Sequence, residues 1–174
     1  MTGALDSFKF EKGTVLLFRI VHWISLLSTA VTLTALGSHV LELPNKLALK
    51  GPLWLAVQQN LYRGWGPFIG PFEVTAVITS WILLYFSGKS RSIFGLTLIA
   101  SCLLTGALAV FFILNAPVNA AFASWTAATL PSNWSNYRLR WELGHAISYV
   151  LVLVTFIALL RALFIDSLIR ASEK

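Results

Sequence analysis

Four long apolar runs, separated by short polar stretches, dominate the chain: Thr14 to Leu43, Phe68 to Phe86, Ile93 to Leu114, and Trp141 to Ile165. A helix needs roughly 20 consecutive apolar residues to cross the hydrocarbon core of a bilayer, and each run is about that long or longer. The pattern predicts an all-α integral membrane four-helix bundle of two antiparallel hairpins, a single four-span domain of 174 residues. The first run is the longest. At about 1.5 Å per residue it measures about 45 Å against a core of about 30 Å, so it tilts or projects, and its last two turns are expected to stand outside.

The connections carry patterns of their own. Between Pro44 and Pro67, Trp54, Leu55, Val57, Leu61 and Tyr62 recur at helical spacing and predict a short amphipathic helix lying on the surface in the first outer loop. Gly64, Gly66, Pro67, Gly70 and Pro71 then break it. Trp125, Trp134 and Tyr137 in the second outer connection, with Trp65 and Trp141, are ring types that settle at headgroup depth.

Composition agrees: 57% of residues are hydrophobic and 11% charged, and the mean hydropathy is +0.76, outside the range of ordinary soluble domains. Charge sets the expected sidedness. Lys9, Lys12, Lys89, Arg91, Arg161, Arg170 and Lys174 fall at one face, and Lys46, Lys50, Arg63, Arg138 and Arg140 are spread over the longer loops of the other. That bias predicts cytoplasmic N- and C-termini and a multi-pass location in the inner cell membrane. The first thirteen residues lack the short apolar core and cleavage site of a signal peptide, so the first helix is expected to be retained. The net charge of +6 fits sidedness and anionic lipid, and no basic cluster points to nucleic acid. Cys102 stands alone within the third run, so no intrachain disulfide forms. Gly95, Ala100, Ser101, Gly106 and Ala107 suit close helix approach, within the bundle or in a homo-oligomer.

Ionisable side chains inside membrane spans are costly, so their positions are informative. Here they gather at one level, near the outer ends of all four helices: His39 and Glu42, Glu73, Asn115 and Asn119, then Arg140, Glu142 and His145. His39 and Glu42 are three apart, as are Glu142 and His145, so each pair shares a helix face. Carboxylates joined to a Glu-x-x-His pattern in a four-helix bundle assemble di-iron and di-manganese sites. His39, Glu42, Glu73, Glu142 and His145 are therefore the candidate ligands for iron, manganese or zinc. A single Cys and a single Met argue against copper(I). Haem fits poorly, because His22 lies about 25 Å along the helix from His39 and only His39 and His145 can meet.

Bland readings compete with the metal. Arg140 could neutralise Glu73 or Glu142 as a buried ion pair, and Glu142 could face water beside Trp141. Asn115 and Asn119, on either side of Pro117, could cap a broken helix or hold a substrate carbonyl. Gln58, Gln59, Asn60 and Arg63 read as the wet face of the surface helix, or as a lid over the outer pocket.

The run Asn115-Ala-Pro-Val-Asn119, followed by Trp134, Arg140-Trp141 and His145, resembles a family of small four-helix membrane proteins that includes the fungal anthrone oxygenases. The segment Ser38 to Lys46, with Gln58-Gln59 and Tyr62-Arg63-Gly64-Trp65, resembles bacterial members only. The resemblance implies oxidation by O2 of an activated carbon beside a ketone in an aromatic, lipid-soluble molecule, with Asn119 and His145 as site residues. The expectation is an oxygenase-like enzyme with an apolar substrate, whose catalytic candidates are His145, Glu73, Asn119, Asn115 and Arg140. The route is cofactor-free, or metal-dependent through the ligands above. The other readings are a lipid- or quinone-binding or transport protein and an accessory subunit of a membrane complex.

Overall fold

The computed structural model describes the backbone of residues 2–88 and 90–172, with side chains from residue 13 onward in those ranges. The side chains of Lys9 and Lys12, and all of Lys89 and Lys174, which entered the expected sidedness, lie outside the described residues. The described chain is all-helical: α1 (Thr2–Ala48), α2 (Gly51–Asn60), α3 (Trp65–Phe86), α4 (Arg91–Val110), a π-helical turn (Phe111–Asn115), α5 (Ala116–Ala123) and α6 (Trp134–Ser172).

Four stretches are long and apolar enough to cross a membrane: Gly13–Ala48, Trp65–Phe86, Arg91–Ala123 and Trp134–Ser172. Large apolar side chains such as Leu27, Phe112, Ile113, Val150 and Phe164 stand exposed along them. A water-soluble protein rarely shows such continuous apolar faces, and these suit a lipid bilayer. The chain is accordingly described as a multi-pass membrane protein.

α1 packs along α3 and α6, and α4 along α6 and α3. Ala76, Ala100, Ala107, Ala158 and Ala162 are buried where helices meet, because short side chains let backbones approach closely when lipid offers no hydrophobic drive. Several hydroxyls in the helices are satisfied within their own turn, as Thr29 on the Ser25 carbonyl, Thr97 on Ile93 and Thr155 on Leu151. A few polar side chains tie helices together. Ser87 Oγ lies 2.9 Å from Thr97 Oγ1, Trp81 Nε1 donates to Thr105 Oγ1, and His22 Nε2 lies 2.9 Å from the Leu159 carbonyl.

Three helices run past their expected bounds. α1 continues through Pro44 to Ala48, which costs one backbone hydrogen bond but carries Lys46 into the interior, where it is buried. The Arg138 guanidinium donates to the Lys46 and Leu49 carbonyls and so closes that end with a cation. α6 starts at Trp134. The break expected at Pro117 does not occur. The helix passes through the π-turn into α5, with Pro117 in the first turn of α5; its missing N–H removes one ladder donor, and the Ile113 carbonyl four residues back accepts from Arg140 instead. Asn115 makes no side-chain cap there, contrary to the capping expectation.

α2 forms with one face exposed, at Pro52, Leu53, Ala56 and Asn60, and the other docked into the bundle. Trp54, Leu55 and Gln58 are all buried, Trp54 against Phe122 and Trp134. Gly51 lets the helix start here, since a Cβ would press against Leu130 and the Trp134 ring. Gln59, predicted on a wet face, instead donates to the Phe122 and Trp125 carbonyls at 2.8 and 2.9 Å.

Candidate functional site

The polar residues at this end surround a cavity of about 790 Å³, well within the size range of small-molecule sites. Its wall is largely aromatic and aliphatic, and the polar groups lining it include His39, Gln58, Glu73, Asn115, Asn119 and His145. Of these, Gln58, read as a wet-face or a lid residue, is 2% exposed, and neither atom of its carboxamide has a partner.

Trp141, on α6, organises the far wall. Its indole Nε1 donates to Asn119 Oδ1 at 2.8 Å, which fixes that carboxamide and leaves its Nδ2 group as a donor. Its backbone carbonyl accepts from Asn115 Nδ2 at 2.8 Å and lies 2.8 Å from His145 Nδ1. Asn115 Nδ2 is also 2.6 Å from His145 Nδ1. A carbonyl only accepts, so a proton on Nδ1 is held by the preceding helical turn and Nε2 then carries the lone pair. If Asn115 donates to Nδ1 instead, the proton sits on Nε2. In both arrangements Nε2 has no partner among the described residues.

Asn115 reaches this position through the π-turn, a device that adds a residue to the helix and re-aims its side chains. Gly144 makes room for it: a Cβ there would overlap the Asn115 carboxamide.

His39, on α1, meets His145, with ring centroids 4.3 Å apart, and also touches Trp141, Tyr62 and Trp65. Behind it lies a charged layer outside the cavity lining. Lys46 Nζ is 2.8 Å from Glu142 Oε2, with both residues under 5% exposed. The same ammonium is 3.5 Å from His39 Nδ1 and over the Trp141 and Tyr62 rings. The Tyr62 hydroxyl donates to Glu42. Burial, then the hydrogen bond and charge of Glu42, push the Tyr62 hydroxyl well above its ordinary range.

The five candidate metal ligands therefore do not converge. Glu142 pairs with Lys46 and not with Arg140 or water, Glu42 takes the Tyr62 proton donor, and an ammonium stands among them. Among the described residues no group of three His, Cys, Asp or Glu side chains is placed to hold a metal ion. These residues do not fit the iron, manganese or zinc centre. Arg140 is exposed, donates to the Ile113 carbonyl and does not line the cavity. Glu73 lines the cavity with no ion-pair or hydrogen-bond partner among the described residues.

One participant escaped sequence reading, Lys46, while Gln58, read as wet face or lid, lines the cavity. The spacing His39, Glu42, Lys46, one helical face extended past Pro44, is the signal that could have found the lysine. In comparisons with known protein families, curated proteins and solved structures, the chain matches none.

Proposed function

We propose that the chain is an oxygenase-like enzyme of the anthrone oxygenase-like kind, embedded in the inner cell membrane as two antiparallel hairpins with both ends cytoplasmic. Its substrate is an aromatic, lipid-soluble ketone with a C–H made acidic by conjugation with the carbonyl. The supporting observation is that Trp141 pins two functional side chains, His145 through its carbonyl and Asn119 through its indole, at the wall of one apolar cavity.

In this reading His145, held by Nδ1, presents Nε2 as the general base and takes the proton from the activated carbon. Asn119 Nδ2 donates to the enolate oxygen as charge develops on it, in a site where few waters compete. Asn115 is a positioning residue, because its amide donates to the same Trp141 carbonyl that holds the His145 Nδ1 proton. The carbanion gives its electrons to O2. Overall CH2 and O2 become C=O and H2O, so one oxygen atom enters the product and the other leaves as water with both hydrogens. No step needs a group beyond substrate, O2 and these side chains.

The test is oxygen uptake by purified protein in lipid nanodiscs, with anthrone as probe. Wild type is expected to consume one O2 per ketone formed. His145→Ala is expected to lose about 100-fold or more, and Asn119→Ala about 10-fold or more. Uptake no faster than the uncatalysed oxidation, with anthrone bound in the cavity, would leave a binding protein instead.

A further inference from the structure

Glu73 is the carboxyl group that the proposed chemistry leaves unused. It is the acid among the residues lining the cavity, and the other two acids at this end are occupied, Glu142 by Lys46 and Glu42 by Tyr62. Arg63 lines the mouth with an exposed side chain but forms no ion pair with Glu73. An acid inside a membrane span is expensive and is ordinarily matched by a partner. Nothing among the described residues supplies that match.

The surroundings suit a positive charge. Trp65, Phe111, Phe122 and Trp125 line the same cavity and, unlike Tyr62 and Trp141, do not carry the Lys46 ammonium; aromatic faces attract cations through their quadrupoles, most strongly where water is excluded. The Gln58 carboxamide, 2% exposed and without a partner at either atom, adds an unused acceptor among the residues that line the cavity. A sealed, unsatisfied amide costs free energy that a ligand donor recovers.

We infer that the cavity binds lipophilic organic cations, with Glu73 as counter-ion, aromatic rings around the charge, and Gln58 Oε1 accepting an N–H where the cation is an ammonium. This does not rest on His145 acting as a base, and it gives the cavity a second ligand class beside the neutral ketone.

The test is equilibrium binding to protein in nanodiscs, using tetraphenylphosphonium as a cation without N–H, protonated dibenzylamine as a cation with N–H, and neutral 9-fluorenone as the reporter of an intact cavity. Wild type is expected to bind all three. Glu73→Gln weakens both cations about tenfold or more and leaves fluorenone within about twofold, while Glu73→Asp keeps the cations close to wild type. Gln58→Leu weakens dibenzylammonium and spares tetraphenylphosphonium. Fluorenone binding without cation binding, or cation binding indifferent to Glu73→Gln, overturns this inference and leaves the enzymatic reading standing. Failure of wild type to bind fluorenone as well overturns both.

Discussion

The carboxamide of Asn115 occupies the space that a side chain on residue 144 would fill, so Gly144 and Asn115 form a single steric unit across the π-turn and α6. Gly144→Ala therefore has to displace the carboxamide, and with it the hydrogen bond to the Trp141 carbonyl and the contact with His145. The expected result is a loss of about 1–3 kcal/mol in detergent unfolding and a loss of turnover larger than the loss of stability explains. Gly106→Ala is the control, since its added Cβ meets only Leu151 at an ordinary 3.8 Å. Equal behaviour of the two variants would remove Asn115 from the account.

The Lys46–Glu142 pair sits out of water behind His39. Lys46→Met leaves a buried carboxylate unpaired, Glu142→Leu leaves a buried ammonium, and each is expected to cost about 3–5 kcal/mol. The double variant removes both charges and is expected to recover most of that loss. Chemical unfolding of the three proteins checks it. Additive losses in the double variant would mean that the two groups do not depend on each other.

Much of the architecture was legible in the sequence, because apolar runs of membrane length leave few alternatives to helices. The pooling of polar residues at one level was equally visible, and it is where the cavity lies. Partners were harder to read. Arg140 and Glu142 are two apart, so they point to different faces of α6, and the cation that reaches Glu142 comes from a turn of α1 beyond Pro44. Gln58 falls on the polar side of α2 by its helical pattern, yet α2 docks under Phe122 and Trp134 and that side faces the cavity. The π-turn that re-aims Asn115 has no sequence signal of its own beyond Pro117 one turn later.

Tyr62 makes stability fall at high pH. Its hydroxyl is held above its ordinary value of 10.0 in the folded protein, so from about pH 10 upward the unfolded chain loses the proton while the folded chain keeps it. That contribution is intact below pH 10 and declines above it by at most about 1.4 kcal/mol per pH unit. Tyr62→Phe is expected to flatten this part of the profile relative to wild type, read as unfolding midpoints at pH 9, 10 and 11. Parallel profiles would show that Glu42 and burial do not hold the proton.

A lipid-soluble substrate is expected to enter the cavity sideways from the bilayer, and glycines at its mouth test this. Cavity-lining residues that are exposed include Gly64, Gly66, Pro67, Val74 and Phe112, which places the mouth beside the start of α3 and the π-turn. A Cβ at Gly66 or Gly70 meets nothing within 4 Å. Gly66→Trp and Gly70→Leu are therefore expected to keep the unfolding midpoint while slowing fluorenone association about tenfold, measured by stopped-flow quenching of tryptophan fluorescence. Unchanged association rates would place the entrance elsewhere.

Proton abstraction by His145 is the centre of the account, and it can be isolated from oxygen chemistry. The measurement is anaerobic exchange of the methylene deuterons of deuterated anthrone into water, catalysed by protein in nanodiscs. Wild type is expected to accelerate exchange, His145→Ala to return it to background, and Asn119→Ala to lie between, with the ketone still bound in both variants. Exchange at the wild-type rate in His145→Ala would contradict the assignment of His145 as the base.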